Sequence, residues 1–327
     1  MPFFQKLYQR VLNFFKAAYA IIYATIVGYT QDKVLRIGAA LAYYTIFSLP
    51  ALLIIVIGLV GFFYGEAAIQ GQVYTQLKEF LGEEVALQIE NAVKSTGSTQ
   101  QNWWATLLGI AFLAFVATGI FQVIQEALNI IFGMEVSPPK ISKSIILEII
   151  NRLLSLTMIL ILCSLFIVSI VLNTILMQVT GFISDNSASL IANMPNNLSL
   201  LNPYIESLTG YLLSFIKFAA SIVLTGSFFA LIYKILPAAK LSWGKACMGA
   251  LVAALLFWLG QILMGYYLAM VSIISAYGAA GSIIVLLLWV YYSSQLLFIG
   301  AEFIKAYTHY KGESIEPKPF AHYIQKQ

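Results

Sequence analysis

The hydrophobic pattern is dominated by long apolar runs broken by short polar connections. A helix crossing a bilayer needs about 20 mainly apolar residues. Six segments reach that length: Ile37–Phe63, Trp104–Phe132, Ile145–Met177, Gly210–Leu236, Trp243–Ser275 and Ala279–Lys305. The third and fifth exceed a straight crossing, which predicts tilt or extension into water. The pattern therefore predicts an all-α integral membrane protein with six transmembrane helices.

Ahead of these runs, Phe3–Thr30 alternates Phe4, Leu7, Val11 and Phe15 with Lys6, Arg10 and Lys16 at helical spacing. The absence of an Ala-x-Ala-like site, and Lys33 and Arg36 just after, argue against a signal peptide. The apolar part, Ala17–Tyr29, is short for a span. An interfacial helix on the cytoplasmic surface is the expectation for residues 1–36, with a transmembrane domain over 37–305 and a cytoplasmic tail over 306–327. Two outer segments follow from the same division, about 64–103 and 180–209. The first reads as two short amphipathic helices, with Val73, Leu77 and Phe80 on one stripe and Val85, Ile89 and Val93 on the next. The second is Asn- and Ser-rich, with Pro195 and Pro203 as breakers.

Composition removes the soluble classes. Of 327 residues, 60% are hydrophobic and 10% charged, and mean hydropathy is +0.86. A water-soluble domain cannot hide that much apolar surface. All of the 18 basic residues except Lys78, Lys94 and Lys217 fall on one side of the six-span arrangement. The positive-inside rule then places both termini in the cytoplasm.

Chemistry-bearing residues are few. The two cysteines, Cys163 and Cys247, form no disulfide framework, and the two histidines, His309 and His322, lie in the tail. No metal or cofactor is expected. Intramembrane polar groups are costly, so they mark either a site or a packing contact. Gln122, Glu126 and Asn129 share a helical face, with Gln125 bordering it. This stripe reads as the wall of a substrate path or as a polar contact between helices. Lys217, inside the fourth run, either meets an anionic group such as a lipid phosphate or snorkels to water. Arg36, Arg152 and Glu302, with Lys305, collect at the inner ends as a helix-packing set or an inner gate. Pro50 interrupts the first run and predicts a kink. In the fifth, Gly249 and Ala253, with Ala250 and Ala254, have the small-xxx-small spacing of close helix approach.

Several strings carry a resemblance. Ala40-Leu41-Ala42-Tyr43-Tyr44 leads into Phe47-Ser48-Leu49-Pro50, and Gly65-Glu66-Ala67-Ala68 follows the first run. Ala127-Leu128-Asn129 closes the second. Ala276-Tyr277-Gly278-Ala279-Ala280-Gly281-Ser282 opens the last, which ends in Gly300-Ala301-Glu302-Phe303. From about Lys33 to Tyr307 the chain resembles the BrkB/YihY family of bacterial inner-membrane proteins. The resemblance implies a six-span inner-membrane protein. That family has carried a ribonuclease BN label, a serum-resistance virulence label and suggestions of lipid or small-molecule transport. Two departures stand out: Gln261 occupies a position that is basic in many relatives, and Ala238 follows Leu236-Pro237 where many have Asp.

A nuclease requires clustered carboxylates or histidines to hold metal ions and activate water. Asp occurs only at Asp32 and Asp185, and no basic-aromatic groove for nucleic acid is evident. The expectation is a non-enzymatic transporter or exporter of a lipid or small amphipathic molecule. The alternative is an envelope scaffold or partner-binding protein. Membrane lipids are the expected partners, together with a second copy or another envelope protein.

Overall fold

The computed structural model describes residues 2–45, 103–136, 202–270 and 279–324, with further helical positions between 157 and 182. Six helices organise these regions: α1 (Pro2–Gln31), α2 (34–45), α3 (Trp103–Phe132), α4 (Asn202–Ile235), α5 (Trp243–Met270) and α6 (Ala279–Tyr310). Four described stretches are long and apolar enough to cross a membrane: Val11–Gln31, Ser207–Ile235, Trp243–Tyr267 and Ile284–Tyr310. Thr118–Phe132 is a shorter apolar helix. Most of the first and third sequence-predicted spans, both outer amphipathic helices, Pro50 and Arg152 lie outside the described residues.

Boundaries differ from the sequence reading at three places. The N-terminal helix is continuous from Pro2, and its last 21 residues are long enough to cross, where Ala17–Tyr29 had looked too short. The fourth helix begins at Asn202 and includes Pro203, which had been read as a breaker. Proline is tolerated in a first helical turn, where its missing N–H is unpaired anyway. The last helix continues past Lys305 to Tyr310, so the expected boundary between membrane domain and tail falls inside it.

The protein is mostly helical, as the sequence predicts, and it also holds two short ladders that the sequence reading did not foresee. Strand β1 (Met134–Val136) pairs antiparallel with β4 (Ala321–Tyr323), and β2 (Ala239–Lys240) pairs antiparallel with β3 (Glu316–Pro317). The tail thus folds back onto the connections that leave α3 and α4. Gly133 and Gly312 make these reversals possible. At φ +69° and +71° they end α3 and α6 in the left-handed region, where a side chain would be strained.

Helix α6 is the centre of the bundle and packs against α1, α3 and α5, while α4 packs on α5. Its buried residues Leu297, Phe298, Ala301 and Ile304 meet Phe121, Ile124, Leu128 and Ile131 of α3 and Ala246, Ala250 and Ala253 of α5 in one core. Close approach relies on small residues. A Cβ at Gly249 would lie 2.9 Å from the Gly300 carbonyl oxygen, and one at Gly300 would lie 3.0 Å from the Gly249 oxygen. Tyr233 of α4, fully buried, donates its hydroxyl to the Leu297 carbonyl at 2.6 Å. The buried threonines Thr45 and Thr308 return their hydroxyls to Leu41 and Ile304 carbonyls one turn back, so neither leaves a polar atom stranded in the core.

Candidate functional site

Helix α3 has two unlike faces. Phe121, Ile124, Leu128 and Ile131 are buried at helical spacing. On the other side Gln122, Gln125 and Asn129 are half-buried and Glu126 is exposed. These four line one groove of about 590 Å³ with Ile130, Met134, Glu135, Val136 and Ile324. The β1–β4 ladder supplies its end, with Glu135 opposite His322 in register and 3.6 Å between Glu135 Oε2 and His322 Nε2. One wall is therefore amide and carboxyl, and the rest is largely aliphatic. No ion pair to Glu126 is present among the described residues.

The groove is not uniform in its polar groups. Asn129 Oδ1 accepts the backbone N–H of Ala238 at 2.7 Å, across the start of the α4–α5 connection. That amide is thus committed to holding the Ala238 turn against α3. Lys217 is exposed on α4 and is not among the groove-lining residues, so the structure does not bring it together with Glu126.

The remaining candidates are dispersed. Arg36 is exposed on α2 and Gln261 half-buried on α5. Glu302 is 1% exposed, in the seam where α6 meets α1. Its Oε2 lies 3.6 Å from Lys305 Nζ, which also bonds Asp32 Oδ2 at the end of α1. One turn above, Tyr29 donates to Gln295 Oε1 at 2.5 Å. The sequence reading did not single out Tyr29, Asp32 or Gln295. A signal was present: Gln295, Glu302 and Lys305 fall on one helical face at spacings of seven and ten residues.

Where the tail meets the bundle, Lys245 and Glu313 pair at 2.7 Å. The lysine holds the Glu313 carboxyl below the ordinary carboxylate range. Burial, then the neighbouring Lys234, pushes Lys318 below the ordinary lysine value. Among the described residues, no group of three His, Cys, Asp or Glu side chains could hold a metal ion.

The sequence model of the family described as Virulence factor BrkB matches residues 25–322. A UPF0761 membrane protein of Mannheimia succiniciproducens is 27% identical over 301 residues, covering 89% of this chain and 90% of its own length. A UPF0761 membrane protein of Idiomarina loihiensis is 25% identical over 244 residues, covering 74% of this chain and 70% of its own. A third, from Tolumonas auensis, is 34% identical over 115 residues, 35% of this chain and 32% of the relative. No solved structure matches.

Proposed function

Because the chain belongs to the Virulence factor BrkB family of membrane proteins, we propose that it moves a lipid or another small amphipathic molecule along the α3 groove, in the bacterial inner membrane. The observation that carries this reading is the composition of that groove. Gln122, Gln125 and Glu126 offer polar partners on one wall, and Ile130, Met134, Val136 and Ile324 offer apolar surface beside them. An amphipathic molecule needs both within one molecular length. Polar groups turned toward hydrocarbon would be costly without such a partner or water.

In this reading six spans carry the chain across the membrane and both termini are cytoplasmic. The basic connections after α3 and α4 then share the inner side with the tail, and α1 lies at the inner surface with Tyr8, Val11, Leu12 and Phe15 exposed toward lipid. Lys217 has no part in the groove and serves as a snorkelling residue at the opposite depth. The protein acts without metal or cofactor, and RNA cleavage is not among its activities.

The test is lipid movement in vesicles. Purified protein reconstituted with a fluorescent phospholipid should speed the exchange of that probe between leaflets. Glu126→Gln should slow it several-fold while insertion and thermal stability stay at wild-type levels. Wild-type vesicles that move the probe no faster than empty ones would remove the lipid reading. An envelope defect in the Glu126→Gln strain without any transport change would favour the scaffold.

A further inference from the structure

Glu302 is the one Asp, Glu, Lys or Arg side chain buried among the described residues. Its Oε1 has no hydrogen-bond partner among them. Gly28 of α1 faces the carboxyl so closely that an added Cβ would lie 3.0 Å from Glu302 Cδ and collide with Oε2. The glycine thus leaves a cradle of carboxylate size in the α1–α6 seam.

The charges in that cradle do not balance. Lys305 offers one ammonium. Asp32 bonds it directly and Glu302 Oε2 stands 3.6 Å away, so both carboxyl groups lie around the same cation. Among the described residues no other charged group compensates. Lys33 and Arg36 are exposed in the turn and in α2, Glu126 of α3 faces the groove, and Lys245 of α5 is paired with Glu313. Tyr29 is engaged with Gln295. Two carboxyl groups sharing one cation, one of them cut off from water, do not both hold a charge without a large cost.

We propose that Asp32, Glu302 and Lys305 form a proton-binding site in the α1–α6 seam. With the seam closed, Glu302 carries the proton and Lys305 pairs with Asp32. When Asp32 withdraws, the Lys305 ammonium turns to Glu302. The Glu302 O–H bond then breaks, its electron pair stays on the carboxylate, and the proton passes to water at the Lys305 end. Release is one-sided, because Phe298, fully buried, separates Glu302 from Gln295 along the same face of α6. Proton uptake is thereby tied to closure of α1 on α6. The site does not depend on what the α3 groove carries, and failure of the vesicle assay would leave it standing.

Infrared difference spectra of the purified protein in detergent test it. At pH 7 the wild type should show a protonated carboxyl C=O band that shifts in D2O and is lost in Glu302→Gln. The decisive variant is Asp32→Asn, which leaves Glu302 in place. Freed from Asp32, Lys305 should pair with Glu302, so the band should disappear at pH 7 and return only at lower pH. Lys305→Met should retain it. A band that persists unchanged in Asp32→Asn would show that burial alone holds the proton, and would overturn the shared site. So would a wild type with no such band. If Glu302→Gln does not fold, the wild-type and Asp32→Asn spectra decide by themselves.

Discussion

Lys318, in the C-terminal tail, donates its ammonium to the carbonyl of Ile235, the last residue of α4, at 3.1 Å. Its backbone N–H donates to Ala238 at 2.8 Å. The last carbonyls of a helix have no partner within the helix, and a cation there also complements the helix dipole. The tail therefore caps α4 from a distance of 83 residues in sequence.

Lys318→Met should lower stability by about 1 kcal/mol at neutral pH, since the side-chain bond is lost and the backbone bond remains. The pH dependence has a definite sign. Burial and Lys234 depress the folded-state value of this lysine below its ordinary 10.5. The unfolded chain binds the proton more readily, so burial of the charge opposes folding fully at neutral pH. That cost is relieved as pH rises through the lowered value toward 10.5. Thermal unfolding in detergent should show the gap between wild type and Lys318→Met widening over that range. A gap that narrows would contradict it.

Placement of α3 to α6 was legible because apolar run length and polar breaks determine it. The Gln122–Asn129 stripe was legible because side chains three and four apart share a helical face. The ladders were not. Strands of two or three residues, such as Ala239–Lys240 and Glu316–Pro317, are too short to show alternation, and their partners lie far away in sequence. The same reason hid Asp32. It sits beside Lys33 and near Arg36, as in any charged turn, and its partner Lys305 is 273 residues away. Lys33 itself adopts φ 54° at this turn, a conformation that sequence would assign to glycine or asparagine.

The contacts that α5 makes with α6 and with α4 separate two kinds of glycine. Gly300→Ala would bring a Cβ to 3.0 Å from both the Gly249 oxygen and the Ala253 Cβ. Backbone there must shift, and a cost of about 1–3 kcal/mol is expected. Gly226→Ala meets only the Ala254 Cβ, at 3.9 Å. It should be neutral or add up to about 1 kcal/mol through helix propensity. Denaturation of the two variants side by side checks the ordering, and equal losses would refute it.

The β2–β3 ladder makes a covalent forecast. Lys240 and Glu316 are Cα partners in the antiparallel register. In a background without Cys163 and Cys247, Lys240→Cys with Glu316→Cys should form a disulfide on mild oxidation of membranes. A control pairing Lys240→Cys with Glu313→Cys should not. Crosslinking of the control as readily as the test pair would mean that the tail is not held in this register. The same cysteines, left reduced, should resist an impermeant thiol reagent in intact cells if the tail is cytoplasmic.

Asn129 separates the parts of the groove that hold the fold from those free to meet a ligand. Its amide oxygen accepts the Ala238 N–H, whereas Gln122, Gln125 and Glu126 line the groove with no such bond to the α4–α5 turn among the described residues. Asn129→Leu removes the acceptor and strands that N–H, at a cost of about 1–3 kcal/mol. Asn129→Asp keeps an oxygen in place and should cost less. Gln125→Leu exchanges one groove-wall group and should leave stability near wild type. Probe movement in vesicles then discriminates. Asn129→Leu should lose activity only in proportion to folded protein, while Gln125→Leu should lose activity per folded molecule. If Asn129→Leu folds as well as wild type but moves no probe, Asn129 belongs to the path rather than to the turn.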